Sequence, residues 1–143
     1  MIPVILAALV IAGPPDRETA VELPEVSPLV SSITRGGFWK AGEQDGTYRV
    51  ILACAGWEHV GCSVAIEWVR PDPDAMADVI VRRVAITGPP DGWSMAVEEL
   101  RYDSSSNKTR LRIGGTDAHS GKTGTFVYVL GPPGEWRLAK KSE

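Results

Sequence analysis

Tyr48-Arg49-Val50-Ile51-Leu52-Ala53-Cys54 and Cys62-Ser63-Val64-Ala65-Ile66-Glu67-Trp68 are two runs that alternate with period two around the turn-forming stretch Ala55-Gly56-Trp57-Glu58-His59-Val60-Gly61. Successive strand side chains point to opposite faces, so Tyr48, Val50, Leu52 and Cys54 share one face of the first run. Cys62, Val64, Ile66 and Trp68 share one face of the second. If the runs form an antiparallel hairpin, the two sulfurs meet. A small chain carrying only these two cysteines then reads as a domain with one internal disulfide, which requires an oxidising compartment. A redox role would want a tighter CxxC-like pair.

The same periodicity recurs along the chain. Strands are expected over residues 47–54, 60–69, 79–87, 93–102, 109–113, 125–130 and 135–138. Breakers separate them: Pro71-Asp72-Pro73-Asp74, Gly88-Pro89-Pro90-Asp91-Gly92, Asp103-Ser104-Ser105-Ser106-Asn107 and Gly131-Pro132-Pro133-Gly134. No long helix and no internal repeat is visible. Residues 73–78 have room for one helical turn. Parity changes near Glu98-Glu99, where a bulge is expected. The predicted fold is all-β: a single small antiparallel β-sandwich or β-barrel of about seven short strands with one disulfide.

Upstream, residues 4–12 form an apolar run with the length of a signal-peptide core, well short of the roughly 20 residues that span a bilayer. No cationic residue precedes Arg17, so the usual basic start of a signal is absent; a buried first strand or helix is the alternative. The reading divides the chain into a signal-like segment at 1–13, a Pro/Ser-rich tether at 14–37 and an all-β domain at 38–143, with a short ordered piece near residues 29–34. It implies a periplasmic or secreted protein with no stable membrane anchor after signal removal. Ile51-Leu52-Ala53-Cys54 mimics a lipoprotein cleavage box but lacks the apolar run such a box follows.

Formal net charge is -3, which offers no electrostatic footprint for nucleic acid or for anionic membrane surfaces. The stretch from Gly114 to Thr123 ends in Gly121-Lys122-Thr123 and resembles a phosphate-binding P-loop over those residues alone. The required first glycine is replaced by Thr116, and a strand rather than a helix is expected after the loop. Asp117, His119 and Ser120 are triad residue types, but neighbours in one turn do not acquire triad geometry. His59 and His119, with Glu58 and Asp117, are the residue types of a zinc site, and a metal-dependent enzyme is the minor alternative. No catalytic residue, metal ligand or cofactor is assigned.

Five tryptophans remain to be placed. Trp68 and Trp93 fall on apolar parities and are expected in the core. Trp39, Trp57 and Trp136 lie at strand ends or turns, where a ring is harder to bury. Trp57 either anchors a partner or folds over the disulfide. The expected binding residues are Trp57, Glu58, His59, Asp117, His119 and Lys122, on two loops that combine aromatic and ionisable side chains. The implied role is non-catalytic binding of a protein or glycan partner in the cell envelope.

Two short resemblances point to alternatives. Gly37-Phe38-Trp39 resembles the GxW signature of lipocalins, which implies a secreted barrel enclosing a small-ligand cavity; Gly134-Glu135-Trp136 has the same pattern. Ser120-Gly121-Lys122 before a β-rich segment is similar to the inserted loop of small periplasmic lysozyme inhibitors, which implies an enzyme-inhibitor role. Neither transfers functional residues to this chain.

Overall fold

The computed structural model describes residues 27–58 and 60–142. The signal-like segment, most of the tether and His59 lie outside the described residues. Among the described residues, eight strands rather than about seven are present: β1 (Val30–Ala41), β2 (Gln44–Ala55), β3 (Gly61–Asp72), β4 (Ala77–Ala85), β5 (Trp93–Asp103), β6 (Lys108–Asp117), β7 (Thr123–Leu130) and β8 (Trp136–Ser142). They form two antiparallel four-stranded sheets, each in simple sequence order, β1-β2-β3-β4 and β5-β6-β7-β8. No helix occurs among the described residues. The expected helical turn at 73–78 is instead a tight turn in which Asp72 accepts the Asp74 backbone N–H at 3.0 Å.

The sheets face each other across one core, as in a β-sandwich. Tyr48, Val50, Leu52, Val64, Ile66 and Trp68 from the first sheet meet Trp93, Met95, Leu111, Ile113, Phe126, Tyr128 and Leu130 from the second. These are the inward parities of alternating strands, and their apolar area leaving water is the main force joining the sheets. Tyr48 Oη and Trp68 Nε1 both donate to the Gly131 carbonyl, at 2.6 and 2.9 Å, so two buried polar atoms of one sheet are satisfied by a turn of the other. The buried Thr109 hydroxyl accepts from the Phe38 N–H and donates to the Phe38 carbonyl, each at 3.0 Å.

β1 is the strand absent from the sequence reading, and it begins inside the stretch read as tether. Ser31, Ile33 and Arg35 are exposed, so this edge strand carries no apolar signature. Pairing shifts between Gly36 and Trp39, and Gly37 takes φ +69° there. A β-carbon at Gly37 would come within 2.5 Å of Thr109 Cγ2, so the close approach of β1 to β6 requires glycine. The bulge brings Trp39 inward. Contrary to the sequence expectation, that ring is buried, with Nε1 donating to the Thr47 carbonyl at 2.9 Å. The bulge anticipated near Glu98 lies between Val97 and Glu99.

β6 also runs further than expected. Gly114, Gly115 and Thr116 belong to the strand and pair with Thr125, Gly124 and Thr123 of β7. Side chains at the facing pair Gly115 and Gly124 would strike the Trp93 ring, at 2.9 Å in each case. The glycines of this segment therefore make a slot for a core tryptophan.

Candidate functional site

Cys54 and Cys62 are directly opposed in β2 and β3, with Cα atoms 4.0 Å apart, and are joined by a disulfide. A disulfide survives in an oxidising environment, and no helix among the described residues is long and apolar enough to cross a membrane. The bond closes the hairpin just below residues 56–60. Trp57 stands fully exposed at this tip and does not shield the disulfide. Glu58 beside it is also exposed.

The turn between β6 and β7 lies at the same end of the sandwich. Gly92, which precedes β5, links the two loops: a β-carbon on Gly61 would lie 3.5 Å from the Gly92 nitrogen, and the Ala118 N–H reaches the Gly92 carbonyl at 3.5 Å. The fold thus brings Trp57, Glu58, Asp117, His119 and Lys122 to one pole. All are exposed except Asp117, which is half-buried. Beside the disulfide, an open groove of about 390 Å³ is lined by Cys62, Val64, Ile86, Pro89, Pro90 and Met95 among others. Sequence reasoning missed this groove because its walls come from separate strands and a proline-containing connection.

Within the turn, Asp117 accepts the His119 backbone N–H at 2.9 Å and the Ser120 hydroxyl at 2.8 Å. These hydrogen bonds, with His119 first and Ser120 next, hold the Asp117 carboxyl below its ordinary value. Ser120 Oγ in turn accepts the Lys122 N–H at 3.2 Å. Asp117 therefore organises the turn, and it bonds the serine directly, with no imidazole between them as a triad would require. Because β7 begins at Thr123, no helix N-terminus follows Gly121-Lys122-Thr123 to receive a phosphate. Among the described residues, no group of three or more His, Cys, Asp or Glu is placed to hold a metal ion, and His59 lies outside them.

A second polar feature lies on the outer face of the first sheet. Glu67 is completely buried between Arg49 of β2 and Arg83 of β4, which occupy the positions directly opposite it. Both arginines form ion pairs with its carboxylate, and Arg83 Nε donates to Oε1 at 2.7 Å. Burial alone pushes the Glu67 carboxyl up, yet hydrogen bonds and charge from the two guanidiniums outweigh it and leave the carboxyl below its ordinary value of 4.5. A carboxylate so fully engaged is structural. No protein-family model, curated protein or solved structure matches this chain.

Proposed function

We propose that this protein is an exported, non-catalytic binding module of the cell envelope, periplasmic or secreted, and that it contacts a partner through the pole carrying the disulfide hairpin. The observation behind this reading is the full exposure of Trp57 on a tip braced by the disulfide between Cys54 and Cys62. A bare indole costs free energy in water that a partner's pocket would recover, and a braced loop loses little entropy on docking. The adjoining groove of Cys62, Val64, Pro89 and Pro90 extends the apolar contact, while Glu58, Asp117, His119 and Lys122 supply a polar rim. The space between the sheets is filled by Tyr48, Trp68, Phe126 and Tyr128, which favours a surface site over an enclosed small-ligand cavity.

The test is retention of envelope components by immobilised protein, comparing the native chain with Trp57→Ala. Loss of a central aromatic anchor typically costs at least about 2 kcal/mol, so retention of the partner should fall roughly 30-fold at limiting concentration. Equal retention by both proteins, with matched thermal unfolding, would remove the hairpin tip from the interface.

A further inference from the structure

The geometry points to a second binding surface, independent of the hairpin pole: the outer face of the β5-β6-β7-β8 sheet is a trough that takes an anionic polysaccharide chain. On β6, Lys108, Arg110 and Arg112 alternate with the buried Thr109, Leu111 and Ile113 and so point outward. Across the sheet, Arg110 lies opposite Arg101 of β5 on one side and Val129 of β7 on the other, and Val129 in turn faces Arg137 of β8. In the next row Arg112 faces Val127, and Val127 faces Lys140. The small valines of β7 therefore form a floor between two cationic walls about 10 Å apart, the width of two strand spacings. Lys108, Arg110, Val129 and Arg137 line an open groove of about 330 Å³ on this face.

Two observations show that the folded chain offsets only part of this charge. Arg101 and Arg110 are directly opposed like charges, an arrangement that destabilises a sheet. Arg112 Nε is sealed from solvent without a hydrogen-bond acceptor, and its only ion pair among the described residues is a long one to Glu99, at 3.9 Å. The other local carboxylates are Glu98, Asp103 and Glu135. Glu98 lies over Gly114, beyond Arg112 and away from the groove that Lys108, Arg110 and Arg137 line. Asp103 is committed to its own turn, accepting from Ser105 and Ser106, and Glu135 folds back toward Gly131. Six cations thus concentrate on one face of a chain whose formal net charge is -3.

The trough's chemistry selects among anionic occupants. No aromatic ring projects from it to stack a nucleobase: Tyr102, Phe126 and Tyr128 occupy the inward parities. Nor does it carry an exposed large apolar side chain to insert among lipids, since Val127 is buried and Leu138 belongs to the opposite parity of β8. An extended peptide laid across a sheet face would leave its backbone groups without strand partners. A saccharide chain bearing carboxylates or sulfates has no such requirement, and its anions can engage successive arginines along β6, spaced about 7 Å apart.

Polygalacturonate is the probe, with neutral dextran as the uncharged control and duplex DNA and phosphatidylglycerol vesicles as competing occupants. The full chain should bind polygalacturonate but not dextran, and binding should weaken as salt is raised from about 0.05 to about 0.5 M. The double substitution Arg110→Glu/Arg137→Glu should weaken it by about tenfold or more, whereas Trp57→Ala at the hairpin pole should not. Should that double variant fail to fold, Arg137→Gln/Lys140→Gln on the exposed edge strand should give a smaller loss in the same direction. The proposal is overturned by absent polygalacturonate binding, by tighter binding to DNA or vesicles, or by an equal loss in Trp57→Ala.

Discussion

Glu67 shows how much one residue's meaning depends on its neighbours. In the sequence it is a carboxylate on the outward parity of an alternating run, the usual place for a solvated charge. In the fold it is wholly covered, and Arg49 and Arg83 reach its carboxylate from both flanking strands. Glu67→Ala should destabilise the domain by about 2 kcal/mol in urea unfolding, below the figure for a fully sealed pair because both arginines remain partly exposed. Folding favours the ionised carboxylate, so its contribution is present above the unfolded-state value near 4.5 and is lost as pH falls through the lower folded value. Stability of the native chain measured between about pH 5 and pH 2 should therefore fall more steeply than that of Glu67→Gln. Matching acid profiles for the two proteins would show that the triad contributes nothing to acid sensitivity. Trp39 carries the complementary lesson. Its burial depends on the bulge at Gly36-Gly37, whose purpose is visible only once Thr109 stands opposite.

At the scale of elements, period-two reading located the strands that carry core residues. β2, β3, β5, β6 and β7 each turn bulky apolar side chains to one face, β5 by way of its bulge, and the Cys54 to Cys62 pairing followed from counting along two of them. β1 was illegible because an edge strand buries little. Its pairing is specified by β2 and by contacts across the sandwich, which a local window of sequence does not contain. The glycines at 114 and 115 misled for the opposite reason, since glycine inside a strand reads as a loop until the ring it accommodates is known. The hairpin staple itself makes a quantitative prediction. Breaking it by Cys54→Ala/Cys62→Ala should lower unfolding free energy by about 2.5 kcal/mol in the chain-entropy model, measured by urea titration. An unchanged midpoint would mean that the ladder alone constrains the hairpin.

For the whole molecule, the two proposed surfaces are separated. The hairpin pole gathers the tip at residues 56–60 and the turn at 117–122, while the cationic trough lies on one sheet face and runs toward the opposite turns, where Ser106 and Asp103 line it. The first was partly legible in sequence, because aromatic and ionisable residues cluster in breaker-rich loops. The second was hidden by the formal charge, which averages over a molecule whose cations and carboxylates are unevenly distributed. Six residues from three strands form one face only after the register is known.

Each sheet is woven entirely from one contiguous stretch of chain, and only the connection at 86–92 passes between them. The order in which the polypeptide becomes available can therefore match the order in which it acquires structure, since no ladder waits for a strand from the other half. Yet neither half can persist alone, because each leaves its inner row of aromatics and aliphatics open to water. A chain cut between Pro90 and Asp91 severs no strand pairing. Its fragments, residues 27–90 and 91–142, should each be poorly structured and should reconstitute the native circular-dichroism spectrum when mixed.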